Sequence, residues 1–344
     1  MSGLRYAGPF VFLLAIPALY AFWDVGPYAV PVALLLLLLV MSCVSDTSAE
    51  QEKMARALPI IYIPLQIAVI AWAVSIAGHT GTTTAAFFSL AVATGVCTGV
   101  FGVLAAHEMV HSRSRGHRWL GAAMLTAMSY RHFRIAHIYG HHRYAATGRD
   151  AATARPGEAF YAFLARTLLG QFAEAWSFEQ HRLRNAKFQL IRNRIAQDVL
   201  LIASIYIGLW LTLGWRAAAF VAAESAVAIL VLELFNYVAH YGLLRRRGEA
   251  LSLHHSWNST GAANLLIFNM GRHSHHHRAP ALSYENLSAS HGAPALPGGY
   301  AGAILLALVP PLWRAVMHSR IRRLGALRRE SLYRDRRRSA VAMP

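Results

Sequence analysis

Cysteine is almost absent from this 344-residue chain, which contains only Cys43 and Cys97, each within an apolar run. Two such cysteines exclude a disulfide framework, a paired-cysteine zinc or rubredoxin module and an iron–sulfur cluster segment. Any redox partner must therefore be another chain. Carboxylates are also scarce, with 16 Asp and Glu against 33 Lys and Arg and 18 His. A metal site here would have to be built largely from imidazole.

Charged residues of either sign make up only 14% of the chain, whereas 56% of the residues are hydrophobic. That balance argues against an ordinary soluble enzyme. The formal net charge of +17 would be compatible with nucleic-acid binding in a polar chain. Because this chain is so apolar, the composition favours a basic membrane protein that does not bind nucleic acid.

Six apolar windows approach or reach the length of about 20 residues that a helix needs to cross a bilayer. They predict an all-α membrane protein with six transmembrane helices in three hairpins. The first window is short and contains Pro17, but a cleaved signal peptide is the weaker interpretation because Arg5 alone would form its basic region. The windows are residues 9–23, 25–44, 57–77, 84–106, 197–215 and 217–240.

Lysine and arginine predict the orientation, since they are retained on the cytoplasmic side. The turns at 24–26 and 78–83 have neither residue, whereas 46–56, 107–194 and the chain after 240 contain nearly all of them. We expect both termini and a histidine-rich cap to be cytoplasmic. The predicted organisation is transmembrane hairpins at 1–106, a cytoplasmic segment at 107–194, helices five and six at 195–240, a cap segment at 241–319 and a basic tail at 320–344.

Two C-terminal segments have their own character. Residues 300–313 are apolar but too short and proline-rich to span, which predicts packing at the membrane surface. Residues 320–338 are strongly basic with interspersed leucines. This pattern is compatible with an interfacial helix on anionic lipid and equally with a solvated tail.

Histidine is concentrated in four short clusters on the predicted cytoplasmic side, within HEMVH, HIYGHH, NYVAHYGL and RHSHHH. Several members are four residues apart, which places both imidazoles on one face of an α-helix. Any one cluster alone could be structural, but four clusters at ligand spacing predict a joint metal site. The nine histidines are His107, His111, His137, His141, His142, His240, His273, His276 and His277.

The number of candidate ligands limits the kind of metal site. Zinc is satisfied by four ligands, or by three and water, so nine histidines overfill one site, whereas two ions with four or five imidazoles each fit. Imidazole suits iron, copper, zinc and nickel alike. A zinc protease using Glu108 as base with His107 and His111 would leave seven histidines unexplained. A membrane metal transporter would place its ligands along the spans rather than at their ends.

The four histidine motifs together resemble those of the integral-membrane alkane 1-monooxygenases, in the wider group of membrane fatty-acid desaturases and xylene methyl monooxygenases. The resembling segments are residues 107–111, 136–142, 236–243 and 272–277. The flanking segments at 144–158, 253–258 (LHHSWN), 264–269 and 295–313 resemble the same family. The resemblance extends from the hairpins almost to residue 320.

The resemblance implies a non-haem centre of two iron ions held by these nine histidines in a bacterial plasma membrane. It further implies hydroxylation of the terminal methyl of an apolar, lipid-soluble alkane or alkyl chain. Oxygen would come from O2, and electrons from rubredoxin and rubredoxin reductase or an equivalent ferredoxin system. A related desaturase, or a hydroxylase of an aromatic methyl, a lipid or a natural-product intermediate, is the alternative.

The sequence departs from the family pattern at three positions. Ala136 and Ala239 stand where the family has glutamate, and His275 stands where it has aspartate. We interpret these changes as marking a divergent subgroup with a different substrate or altered redox tuning. We expect His275 to point away from the ligands rather than to join them.

Other polar residues near the motifs are candidates to support the ligands or the fold around them. We expect the loop with Asp150, Arg155 and Glu158 to form a structural salt-bridge network rather than to take part in chemistry. The candidates to orient or tune the ligands are Glu108, His254, His255, His275 and Asn236.

Overall fold

The computed structural model describes residues 6–45, 56–246 and 248–341. Within these ranges the regular structure is helical, apart from the isolated β-bridges Ser45–Gly261 and Asn258–Ala295. The helices are α1 Gly8–Phe22, α2 Ala29–Cys43, α3 Leu58–Gly78, α4 Thr84–Cys97, α5 Val103–His111, α6 Arg115–Ala127, α7 Phe133–Ile135, α8 His142–Tyr144, α9 Phe160–Leu183, α10 Gln189–Arg192, α11 Arg194–Leu213, α12 Trp215–His240, α13 His273–Arg278, α14 Gly299–Ala307 and α15 Pro310–Val341.

Five described helical segments are long and apolar enough to cross a membrane. The first predicted span corresponds to α1, which has only 15 residues and contains Pro17, so it is not among these five. The membrane character of the fold is confirmed, whereas the count of six spans is not. The five segments are Gly26–Cys43, Leu58–Gly78, Thr84–His111, Arg194–Leu213 and Trp215–His240.

Helix α4 and the π-helical stretch Thr98–Gly102 that follows it pack closely against α12 through two glycines. A Cβ atom added at Gly95 would lie 2.7 Å from the carbonyl oxygen of Glu224, and one at Gly99 would lie 2.7 Å from that of Ala228. In lipid, such close van der Waals packing by small residues replaces the hydrophobic effect as the force between helices. Because α5 continues α4 and α12 ends at His240, this contact sets the spacing between two of the histidine-bearing helix ends.

Two stretches of π-helix interrupt the α-helical geometry. Residues Thr98–Gly102 form one inside the Thr84–His111 segment, and residues Ala136–His141 form the other. Such i→i+5 turns are rare and frequently lie at functional sites. The second of them contains most of the HIYGHH motif.

The segment between α12 and α14 is irregular and is fixed by buried hydrogen bonds. Trp257 Nε1 donates to the carbonyl oxygen of Tyr241 at 2.8 Å. Asn258 accepts from the backbone N–H of Ser274 at 2.9 Å and donates to Ser274 Oγ at 2.7 Å. These contacts connect the LHHSWN segment to α13, so they hold the histidines of α13 against the end of α12.

The C-terminal apolar segment divides into α14 and the start of α15, with Pro310 opening α15. Proline is well suited to the first turn of a helix, where its missing N–H removes no hydrogen bond. The basic segment after residue 320 continues α15 as a helix to Val341. Of the basic 46–56 loop, residues 46–55 lie outside the described residues.

Candidate metal centre

All nine predicted histidines lie together in the structure, in two groups. In each group one nitrogen of every ring lies within 4.8 Å of the others, and among the described residues neither group includes a carboxylate. The five-histidine group is His107, His111, His137, His142 and His276. The four-histidine group is His141, His240, His273 and His277.

The π-helical turn explains how HIYGHH contributes to both groups. In an α-helix, residues four apart share a face, which favours the pair His137 and His141. The wider i→i+5 turn at Ala136–His141 instead brings residues five apart together. His137 Nε2 therefore lies 2.9 Å from His142 Nε2, and His141 is directed into the other group. The rings of His137 and His141 still lie side by side, with centroids 5.3 Å apart, but the two residues belong to different groups.

Three ring nitrogens in the five-histidine group form a closed triangle. His111 Nε2 lies 3.1 Å from both His137 Nε2 and His142 Nε2, which are themselves 2.9 Å apart. A neutral ring nitrogen either donates or accepts one hydrogen bond. Three atoms in a triangle cannot alternate between the two roles, so at least one side must be a contact between two donors or two acceptors. A cation bound by all three lone pairs satisfies every nitrogen at once.

The four-histidine group repeats this arrangement. His240, His273 and His277 have Nε2 atoms 3.0, 3.1 and 3.2 Å apart. In the five-histidine group, a fourth ring lies close to the triangle, since His276 Nε2 is 3.2 Å from His142 Nε2. The triangle in each group is thus the donor set expected around a cation rather than a hydrogen-bond network.

The nitrogen separations also favour one coordination geometry over another. Two imidazole nitrogens bound about 2.1 Å from a metal are about 3.0 Å apart at a right angle and about 3.4 Å apart at the tetrahedral angle. The separations of 2.9–3.2 Å agree with the right angle. These close pairs fit neighbouring ligands of one cation, and the other nitrogen pairs in each group lie within 4.8 Å of one another.

Burial keeps the ring nitrogens available as lone-pair donors. Outside the spans, desolvation and neighbouring imidazoles hold the pKa of His137, His142, His273, His276 and His277 well below the ordinary value of 6.5. These rings are therefore neutral at neutral pH, which is the protonation state that binds metal.

Among the described residues, Asp150 is the carboxylate that forms an ion pair with one of the nine histidines. Its Oδ2 lies 2.9 Å from His141 Nδ1 and accepts from Thr153 Oγ1 at 2.6 Å, while Oδ1 accepts from Ala152 N at 3.1 Å. Burial alone would raise the pKa of Asp150, but His141 and Thr153 outweigh it and lower that pKa. A charged carboxylate on Nδ1 leaves His141 Nε2 free to bind a metal and fixes the ring orientation.

The expectation of a structural salt-bridge network in this loop stays a prediction for Asp150, whose ion-pair partner is the candidate ligand His141. It holds for Glu158, which receives hydrogen bonds from Arg166 at 2.8 and 2.9 Å and from the backbone N–H of Arg155. A signal for Asp150 was present in the sequence, since it lies nine residues after His141 in a segment that resembles the family. Distance along the chain did not show which histidine it would meet.

Of the predicted supporting residues, His255 touches a candidate ligand, but through its backbone. Its carbonyl oxygen lies 3.3 Å from His240 Nδ1. Its ring Nδ1 instead lies near the backbone N–H and hydroxyl of Ser252, at 3.0 and 3.1 Å. His254 is exposed and belongs to neither group.

The remaining three predicted supporting residues belong to neither group, although Glu108 lines a cavity together with His111. Asn236 donates to Glu233 at 3.1 Å, and His275 Nδ1 accepts from the backbone N–H of Ser288 at 2.9 Å. Glu108 lines a separate cavity of about 390 Å³ that also includes Arg56 and His111.

The alanines at the departing positions are packed rather than polar. Ala136 is buried in a small apolar cluster with Ala175 and Ile195. Ala239 is buried as well, and its carbonyl oxygen accepts from the backbone N–H of Trp257 at 2.8 Å. Apolar packing therefore takes the place of both glutamates, and Asp150 supplies the carboxylate that contacts a histidine.

Comparison with known proteins agrees with this site. The fatty acid desaturase family matches residues 82–306. Alkane 1-monooxygenase 2 of Pseudomonas aeruginosa is 34% identical over 282 residues, which cover 79% of this chain and 75% of that protein. An alkane 1-monooxygenase of Pseudomonas putida is 36% identical over 286 residues, covering 79% and 69%. The xylene/toluene monooxygenase hydroxylase component of Pseudomonas putida is 33% identical over 229 residues, covering 64% and 60%.

The family match covers all nine histidines and three of the five candidate membrane-spanning segments. Together with the helical fold, the matches show that the chain belongs to the fatty acid desaturase family and is an oxidoreductase of the alkane 1-monooxygenase type.

Proposed function

We propose that the nine histidines hold two iron ions, one in each group, and that the chain hydroxylates the terminal methyl of an alkane or alkyl chain. The observation that carries this proposal is the pair of Nε2 triangles, which are frustrated as hydrogen-bond networks and suited to cations. The alkane 1-monooxygenase relatives support the substrate class. Nine imidazoles exceed what one zinc ion binds, and imidazole suits iron.

The proposed reaction consumes one C–H bond, one O2, two electrons and two protons, and it releases an alcohol and one water. Bound iron supplies the activation of O2 in this reaction. The protein would hold the imidazoles neutral and close together around each centre, and all members of the four-histidine group are buried. Asp150 fixes the ring of His141 through its Nδ1.

The electrons would come from a separate rubredoxin, with its reductase or an equivalent ferredoxin system. The described chain has only Cys43 and Cys97 as thiols, and neither lies near the histidines in the sequence. Small electron carriers of this kind are acidic, and the net charge of +17 is complementary to such a partner. We infer that the protein lies in a bacterial plasma membrane, with both termini and the histidine-rich ends of the spans on the cytoplasmic side. The chain would then be divided into the segments that the sequence predicts.

Metal analysis of the detergent-purified protein tests the proposed centre. We expect about two irons per chain, with a Mössbauer signature of coupled iron. His276→Ala and His277→Ala remove one donor from each group and should each lower the iron content. His254→Ala is the matched control, because this exposed histidine belongs to neither group. One zinc per chain with no iron, or equal losses in the control, would contradict the proposal.

Product analysis tests the reaction. With rubredoxin and its reductase, we expect octane or hexadecane to yield the terminal alcohol, detected by gas chromatography and mass spectrometry. The xylene/toluene relative and the alanines at 136 and 239 favour one alternative, a hydroxylase of an aromatic methyl or a related desaturase. Turnover of xylene without alkane turnover, or an alkene product, would establish that alternative instead.

A further inference from the structure

A basic cavity of about 610 Å³ lies outside the histidine groups, between α5, α6, the segment around residue 135 and the start of α11. Its lining combines apolar side chains such as Trp119 and Leu201 with a concentration of cationic ones. Five of the 14 residues that line the cavity are arginines. They are Arg115, Arg118, Arg131, Arg134 and Arg194.

The charge in this cavity is unbalanced. Among its described lining residues Asp198 is the one carboxylate, and it already serves two guanidinium groups. Arg131 Nε lies 2.9 Å from Asp198 Oδ1, and Arg134 Nη2 donates to both Asp198 oxygens at 2.8 Å. Arg194 is paired with Glu179, whereas Arg115 and Arg118 are exposed and have no carboxylate partner among the described residues. Asp198 and Glu179 together offset at most two of the five positive charges, so the cavity keeps an excess of positive charge and favours an anionic ligand.

The cavity lies where two spans reach the same membrane surface. Val110 lines it one residue before the Thr84–His111 segment ends, and Arg194 lines it at the first residue of the Arg194–Leu213 segment. This is the level of phospholipid headgroups, where basic pockets between spans recognise anionic lipids.

An apolar cleft of about 410 Å³ meets the basic cavity at Asp198, which lines both. The cleft follows one face of α11 through Val199, Ile202, Ala203 and Tyr206, and Phe172 of α9 forms its other wall. The spacing of three, four and seven residues makes this a continuous stripe along the helix.

Helix α11 as a whole is turned outward, since only 11% of its apolar window is buried inside the protein. Its cleft therefore opens toward lipid. A cationic cavity at headgroup level, joined to an apolar cleft along a lipid-facing helix, matches the two halves of a phospholipid.

We propose that this composite site binds one anionic phospholipid, with its phosphate among Arg115, Arg131 and Arg134 and an acyl chain in the cleft along α11. An acidic protein would complement the charge but would not occupy a cleft that faces the bilayer. The site is separate from the histidine groups, so its occupancy can be measured whatever metal they hold.

Native mass spectrometry of the full chain from nanodiscs of equimolar phosphatidylglycerol and phosphatidylcholine tests the site. We expect phosphatidylglycerol to be retained selectively. Each arginine near a lipid surface contributes about 1 kcal/mol, or roughly fivefold in affinity, so Arg115→Gln combined with Arg134→Gln should weaken retention about 25-fold. Arg184→Gln combined with Arg192→Gln removes the same charge from exposed residues outside both cavities and should leave retention unchanged.

The acyl-chain half of the site is tested separately. Ala203 lies exposed in the cleft, so Ala203→Trp should fill the cleft and weaken phosphatidylglycerol retention without altering any arginine. This variant also keeps the proposal testable if loss of Arg134 destabilises the protein.

Three results would overturn the proposal. They are equal retention of phosphatidylcholine, equal loss in the Arg184 and Arg192 control, and displacement of the bound lipid by millimolar inorganic phosphate, which would mean that the arginines bind a free anion with no need of acyl chains.

Discussion

Replacement of Asp150 by asparagine should weaken metal binding while leaving the fold in place. Asparagine has nearly the same size and can still accept from His141 through its amide oxygen, but it loses the negative charge that sits 2.9 Å from Nδ1. Asp150 is 2% exposed, so water cannot replace that charge. Loss of such a supporting carboxylate typically costs about 10- to 100-fold in metal affinity, or about 1.4–2.8 kcal/mol.

The four-histidine group should bear this loss, because His141 belongs to it. Asp150→Asn should fall at the low end of the range, and Asp150→Ala at the high end, since alanine also leaves Thr153 Oγ1 without its acceptor. The assay is competition for Fe(II) or Co(II) against a chelator of known affinity. With Co(II), the ligand-field absorption reports the geometry of the site.

Glu158→Gln is the matched control for this experiment. Glu158 lies in the same loop and is paired with Arg166, but it contacts neither histidine group. The control should lower stability slightly and leave metal affinity unchanged. Unchanged affinity in Asp150→Asn, or an equal loss in Glu158→Gln, would refute the reasoning.

Three further results are expected. Gly99→Ala should lower the free energy of unfolding by about 1–3 kcal/mol, measured as a lower melting temperature, because its Cβ would lie 2.7 Å from a backbone oxygen of α12. The control Gly208→Ala, with nothing within 4 Å of the new Cβ, should be neutral or stabilising. Acidification below about pH 6.5, the pKa of histidine in the unfolded chain, should release metal and destabilise the protein. Burial lowers the pKa of the α13 histidines, so the unfolded state binds protons more readily than the folded state does. Metal retained to pH about 4 would contradict this. Glu179→Gln should cost about 1–3 kcal/mol in unfolding measurements, because its fully buried carboxylate accepts from Arg182 at 2.7 Å and Arg194 at 2.9 Å; an unchanged transition would show these bonds to be negligible.

The sequence was sufficient to predict which histidines would meet. Three of the four clusters have a histidine spacing that a helix converts into a shared face, and the apolar windows predict that the clusters lie at the ends of spans. The convergence of His107, His240 and His276 therefore followed from local periodicity and membrane topology. The resemblance to a known family pointed to the same residues.

Other parts of the site depend on geometry that local periodicity does not contain. An α-helical period pairs His137 with His141, whereas the π-helical turn pairs His137 with His142. Asp150 reaches His141 through an irregular loop, and no repeating pattern predicts such a contact. The basic cavity is assembled from residues as far apart as Arg115 and Arg194, so its charge becomes apparent only when the helices are packed.

The adjacency of His141 and His142 has a consequence for how the protein acquires its metal. One peptide bond separates them, yet they belong to different groups. Ordering either ring restricts the backbone that presents the other, so the entropy of arranging this turn is lost only once. Loading should therefore be cooperative, with a titration steeper than that of two independent sites and few chains holding a single ion. The same adjacency means that neither half of the centre can be redesigned without disturbing the other.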